Sequence, residues 1–408
     1  MFYDLRKLLV MRTVKDHYND TFYMFSVRLV KSFINIFSKL KLYPFLSKIP
    51  RSVLYTISQG VSHVIAGDEE YKTPIFETID NLMGYYIDKK YPNRKQHVKD
   101  RILYHNFIWM NLIVFDVVLL LPFLNKYRRV KDYFEISGLK HLKDALKKGN
   151  GVLILSAHLD NYLFLFCIFA LMGYKTNAIM EIPSFISIID TLEGSGLNII
   201  PSPQPHYKKL NKFAKSKIDE ALNNNEIVVI LQDFAHPHYT MIEFFNELAY
   251  TPVGVVSLAL KHNTPIIPAF IESSKNETHY RVEIEPEHKL KIEGFKNKKE
   301  TILYNSYIIN KYLEKRIRDN FIYWMILPLY HIRKKSLSII KDNGKLAINN
   351  IYESIEFYKT YLMKSYEINR NDERILEILV SVKEKIEVLK TEQLEKKKKF
   401  SLDNYRNK

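Results

Sequence analysis

Residues 148–162 read Lys-Gly-Asn-Gly-Val-Leu-Ile-Leu-Ser-Ala-His-Leu-Asp-Asn-Tyr, a run that passes from strand to helix through a histidine. Gly151–Leu155 (GVLIL) is a hydrophobic strand pattern, and it delivers a small Ser156-Ala157 pair and then His158. A helical pattern follows over Tyr162–Met172, closed by Gly173, with Asp160 or Asn161 as its N-cap. His158 is therefore expected at the carboxyl end of a strand, where loops carry function in α/β proteins. An imidazole with a pKa near ~6.5 takes a proton from a hydroxyl attacking an acyl carbon, provided a neighbour holds its tautomer and orientation. Taken alone, the same residue reads equally as a satisfied histidine at a strand end.

Moving outward, strand-like runs alternate with helical ones. The strands are Thr176–Met180, Leu197–Ile200, Ile227–Leu231, Pro265–Ile271 and Tyr280–Ile284. Lys208–Leu222 is helical, and a further helix is expected to open at Thr251 as N-cap with Pro252 in its first turn. Such alternation signals an α/β sheet with crossover helices. Up to about Tyr127 the spacing is helical and aromatic-rich, and after about Lys335 it is charged and helical, ending in Lys396–Lys399 and a polar tail. The expected division is a helical membrane-associating region (1–129), an α/β domain (130–335) and a charged helical extension (336–408). No repeat of solenoid period is present.

Composition narrows the partners. The 408 residues are 47% hydrophobic with 12 Gly and 15 Pro, which excludes disordered, collagenous and purely coiled-coil chains. Lys and Arg exceed Asp and Glu by 61 to 45, a net charge of +16, so the natural partners are anionic: lipid headgroups, nucleic acid, or an acidic protein or cofactor. Nucleic acid is ranked last, because no recognition motif accompanies the charge. Cys167 is the only cysteine and lies in an apolar run, which excludes disulfides within the chain and cysteine metal clusters. The N-terminus carries charges throughout and does not read as a signal peptide. Phe22–Ser47 sets apolar residues beside Arg28, Lys31, Lys39 and Lys41, fitting a basic amphipathic helix on anionic lipid or a core helix with a solvated basic face. Phe107–Leu124 approaches the ~20 residues of a membrane span, but Asn111, Asp116 and Pro122 interrupt it, which favours a buried or interfacial helix.

Other chemistry is thinly supported. Asp233, His236 and His238 in QDFAHPHY are too few ligands on one loop for a metal site, and the His-Pro-His turn reads as lining the site entrance. Gly149, Gly151, Gly194 and Gly196 form no nucleotide-binding pattern, and no nucleophile elbow is present.

The run SGLKHLKDALKKGNGVLILSAHLDNY resembles the signature region of the lipid A late acyltransferases and their relatives in the lysophospholipid acyltransferase superfamily. Gly138, His141-Leu142, Gly149, Gly151, His158 and Asn161 match in register. Asn81-Leu82, Phe244-Phe245 (followed by Asn246 where the family has glycine), TPVGVVSLALKHNTPIIPAF and YLEKRIRDNFIYW are similar to further family blocks. The resemblance extends from Ile79 to Arg333.

It implies a glycerolipid acyltransferase-like α/β fold, with a mixed central sheet and flanking helices. It implies transfer of a fatty acyl chain from acyl carrier protein or acyl-CoA to a hydroxyl of a glycolipid or phospholipid precursor, with no metal and no bound cofactor. The implied location is the cytoplasmic face of a bacterial inner membrane, peripheral or with one N-terminal anchor; the sequence specifies no oligomeric state. By position His158 is the general base. The family's usual acid, five residues on, is here Leu163, so Asp233 is expected to orient the imidazole, with Asp160 as the other candidate. Asn161 would shape the loop, while Phe244, Phe245 and Thr251 would line the acceptor or acyl pocket. Leu192 stands where the family carries an anion-binding arginine. The missing acid and arginine also fit a second reading, a non-catalytic paralogue that binds lipid or acyl carrier at the membrane.

Overall fold

The computed structural model describes Phe45 and residues 49–327, except 67–68, 181–187, 204–207, 235–239, 246 and 274–278. The expectations for Phe22–Ser47, His236, His238 and the C-terminal extension fall outside the described residues. The described chain opens with helices α1 (Arg51–Ala66), α2 (Glu69–Lys90) and α3 (Lys95–Phe115). A π turn over Asp116–Leu120 links α3 to α4 (Leu121–Tyr127). Then come β1 (Phe134–Ser137), α5 (Leu139–Leu146), β2 (Val152–Ser156), α6 (Tyr162–Leu171), β3 (Thr176–Met180), α7 (Ile189–Glu193) and β4 (Leu197–Pro201). After α8 (Lys208–Asn223) and β5 (Ile227–Leu231), β6 (Thr240–Phe244) and β7 (Glu247–Thr251) form a separate antiparallel hairpin. The chain continues with α9 (Gly254–His262), β8 (Ile266–Ser273), β9 (Tyr280–Ile284), α10 (Lys298–Asp319) and a 3-10 turn at Phe321–Tyr323.

The seven-stranded sheet has the order β1-β9-β8-β2-β5-β3-β4 and is parallel except where β8 meets β9. Its central strand β2 is buried at all five positions, as expected of a strand covered on both faces. Alternation divides it between two layers. Val152 and Ile154 pack with α4 and α6, whereas Leu153 and Leu155 pack with α8, α9 and α10. Ile108, Trp109, Leu112, Leu121 and Leu124 lie buried in the first layer, so burial in the core accounts for the apolarity of Phe107–Leu124.

Two signature glycines have backbone reasons. At Gly138 (φ +72°) a Cβ would sit 1.8 Å from the Ile284 carbonyl oxygen, and at Gly151 (φ +67°) 2.9 Å from that of Glu226. Both close approaches bring the chain onto the sheet just ahead of α5 and β2. One expectation is corrected: Thr251 does not cap a helix. It ends β7, and α9 begins at Gly254 behind Val253, because the Thr251 hydroxyl is already bonded to the Ala249 carbonyl and to Asn310 Nδ2.

Candidate active site

Strands β2 and β5 are parallel neighbours in the register Val152↔Ile227 to Ser156↔Leu231. Gln232 N–H extends the ladder to the Ser156 carbonyl at 3.1 Å, so the same offset of 75 residues brings His158 level with Asp233 beyond the strand ends. His158 Nδ1 lies 2.7 Å from Asp233 Oδ1, and the His158 backbone N–H donates to Asp233 Oδ2 at 2.9 Å. Trp324 Nε1–H donates to the same Oδ2 at 2.8 Å. The Asp233 side chain is fully buried, while 19% of the His158 side chain remains exposed.

Burial pushes the Asp233 carboxyl up. The charge of His158 and the hydrogen bonds from its ring, from Trp324 and from the His158 backbone together outweigh that, holding the group below the ordinary carboxylate value. An ionised carboxylate only accepts, so Nδ1 carries the ring proton and Nε2 is left as the basic nitrogen. Tyr162 stands edge-on to the imidazole at 4.8 Å between centroids, with Phe234 at 6.5 Å on another side.

The loop after β2 is clamped by the last described segment. Met325 N–H donates to the His158 carbonyl at 2.8 Å, Asp160 N–H donates to the Tyr323 carbonyl at 2.9 Å, and Leu159 bridges to Trp324. From α3, Asn106 Nδ2 holds that clamp through the carbonyls of Ile322 and Trp324. Trp324 thus reaches His158 twice, through the backbone bridge and through Asp233. Its tryptophan ends the quoted block YLEKRIRDNFIYW, which was the available sequence signal, but nothing in the residue type announced a bond to the acid.

The remaining candidates divide. Asp160, at φ +47°, turns its carboxylate to Ser273 at the end of β8, accepting from Ser273 N–H at 2.6 Å and Oγ–H at 3.1 Å, and from Asn161 N–H at 2.7 Å. It ties the loop to the end of β8 and is not bonded to the His158 ring. Asn161 is the N-cap of α6, its Oδ1 accepting from Phe164 N–H at 3.2 Å. Phe244 and Phe245 meet edge to face and pack against Trp324, which places them behind the acid. Thr251 is buried at the hairpin's end, bonded to α10 through Asn310. Leu163 is buried in the apolar layer among α6 neighbours, so an acid there would face the core. Leu192 is likewise buried in that layer. Among the described residues, no group of three His, Cys, Asp or Glu side chains is placed to hold a metal ion.

The fold and the site define an α/β protein with a hydrogen-bonded His–Asp pair at the carboxyl edge of its sheet. Comparison then gives the family: the model described as bacterial lipid A biosynthesis acyltransferase matches residues 40–331, and the chain belongs to that family. It is accordingly an acyltransferase of lipid A biosynthesis. A search of curated proteins finds no match.

Proposed function

We propose that this chain transfers a fatty acyl group from a thioester, carried by acyl carrier protein or CoA, to a hydroxyl of a lipid A precursor, with His158 as general base and Asp233 as the residue that orients it. The observation that carries the reading is the 2.7 Å contact between His158 Nδ1 and a buried, ionised Asp233. Nε2 takes the proton of the acceptor hydroxyl as its oxygen attacks the thioester carbonyl carbon. Collapse of the tetrahedral intermediate forms the ester, breaks the C–S bond, and returns the proton from the imidazolium to the departing thiolate. Asp233 stabilises the imidazolium without itself taking the proton. Backbone N–H groups at the strand–loop junctions would meet the oxyanion.

The Asp233 bond also weighs against the non-catalytic reading, because it fills the role that Leu163 leaves vacant. A membrane surface fits the rest: Val53, Ile57 and Val61 form an exposed stripe on α1, and the net charge of +16 suits anionic lipid. We place the protein peripherally at the cytoplasmic face of the inner membrane, with α1 toward the lipid and residues 130–335 carrying the chemistry.

The test is transfer of radiolabelled acyl groups from both donors to a lipid A precursor, comparing wild type with His158→Ala and Asp233→Asn. Both variants are expected to lose about 10²-fold or more in kcat/KM. A wild type that binds donor and vesicles but transfers nothing favours the non-catalytic paralogue.

A further inference from the structure

Phe107–Leu124 carries one charged residue, Asp116, and the structure places it deep in the apolar layer. It opens the π turn between α3 and α4, where Leu121 N–H reaches five residues back to the Asp116 carbonyl. Single π turns inside helices recur at functional positions. A buried carboxyl group is costly unless it is hydrogen-bonded, and an apolar side chain would fill such a site more cheaply. Packing alone therefore does not explain Asp116.

Its partners suggest another reason. Asp116 Oδ2 accepts from the Tyr280 hydroxyl and from Asn161 Nδ2, the latter at 3.2 Å, and Asn161 Nδ2 also lies 3.2 Å from the Tyr280 oxygen. Tyr280 reaches this corner because β9 runs antiparallel to β8, so its first residue pairs with Ser273 at the edge where β2 ends. Its ring is stacked on Phe134 and meets Phe164 edge-on, which fixes where the hydroxyl points. Asn161 stands three residues after His158. Its other amide atom caps α6, so its side chain has one orientation that serves both ends. The histidine loop is thus held by Asp233 in front, by residues 323–325 along its backbone, and by Asp116 and Tyr280 from behind.

We propose that Asp116 is a positioning residue for His158: through Asn161, and with Tyr280 fixing its carboxylate, it sets where the imidazole stands against Asp233 and the acceptor hydroxyl. The inference rests on the reading of His158 as the base. A shift of about 1 Å in a catalytic group costs about 10²-fold in rate, so loosening one of three ties to this loop is expected to be felt mainly in kcat.

The experiment uses the full chain carrying ¹⁵N-labelled histidine. Four proteins are compared: wild type, Asp116→Asn, Tyr280→Phe, and the exchange Asp116→Asn with Asn161→Asp. In the exchange the carboxylate at 161 still caps Phe164 and accepts from the new amide. Asp116→Asn is expected to lower kcat about 10- to 100-fold with KM within about twofold, and to turn the His158 ring from the Nδ1–H tautomer into a mixture. Tyr280→Phe should change both readouts in the same direction by less, and it serves alone if Asp116→Asn does not fold. The exchange should recover most of the lost kcat. The proposal is overturned if folded Asp116→Asn keeps wild-type kcat and tautomer, if its loss follows only the unfolded fraction, or if the folded exchange variant is no better than the single one. Should the wild type transfer nothing, the acyltransferase reading fails on its own, and the tautomer of His158 still decides whether Asp116 positions it.

Discussion

Trp324 donates to Asp233 Oδ2, and the direction of the Asp233 shift turns this contact into a pH prediction. A carboxyl held below its ordinary value stabilises the fold at pH above the unfolded pKa, about 3.9 for Asp, and that contribution is lost as pH falls through the folded value. Trp324→Phe keeps an aromatic ring against Phe244 and Phe245 but removes one donor, so the folded pKa of Asp233 should rise toward the ordinary one. We expect a loss of about 1–3 kcal/mol at pH 7 and acid unfolding that begins at higher pH than in the wild type. Circular dichroism in urea from pH 7 to pH 3 measures this, and a stability difference that does not narrow below about pH 4 contradicts it. At this scale His158 was legible because a strand pattern runs straight into it. Asp233 was legible only through resemblance, and its position follows from a register of 75 residues that no local pattern encodes. Asp116 and Tyr280 were hidden because a lone polar residue in an apolar run reads as an interruption, and a tyrosine opening a strand reads as ordinary β composition.

The hairpin β6–β7 stands behind Trp324, and α10 fixes it there. Asn310 Nδ2 donates to the Glu243 carbonyl at 2.8 Å and to Thr251 Oγ1 at 3.1 Å, while Phe245 N–H donates to Glu314 Oε1 at 2.9 Å. Lys311 lies between the buried carboxylates of Glu243 and Glu314 and is hydrogen-bonded to both. Asn310→Ala removes the donor shared by the two ends of the hairpin and leaves two buried acceptors with one partner fewer. The expected cost is about 1–3 kcal/mol in chemical denaturation. Because Phe244 and Phe245 pack on Trp324, acyl transfer should fall with it, by less than in Asp233→Asn. An Asn310→Ala protein of wild-type stability would show that Asn310 does not hold the hairpin. Sequence patterns gave β2, β3, β5 and β9 nearly to the residue, since these are short β-rich runs punctuated by turns. The hairpin escaped notice because Phe245 occupies the left-handed region at φ +53°, where Gly or Asn is the usual signal.

Across the whole molecule, the proposed membrane contact draws on two separable features, hydrophobic surface and positive charge. α3 is apolar because its side chains are buried in the core, so it is not the element to test. α1 is: it packs against α3 and leaves Val53, Ile57 and Val61 between 41% and 47% exposed, at the i, i+4, i+8 spacing of one helix face. If that face enters the headgroup boundary, each side chain contributes on the order of 1 kcal/mol of burial. Replacing Ile57 and Val61 with Glu should therefore lower partition onto anionic vesicles about tenfold or more while leaving unfolding unchanged, because the altered side chains touch solvent and not the core. The charge of +16 predicts a second signature, a fall in wild-type binding as salt is raised. Sedimentation with phosphatidylglycerol vesicles at low and high salt separates the two. A double variant that binds like the wild type at both would place the membrane contact elsewhere and leave α1 as an ordinary solvent-facing helix. A variant that binds weakly at both would tie the lipid surface to the helix packed against α3, which runs into the π turn that Asp116 opens and, through Asn106, holds the clamp over His158.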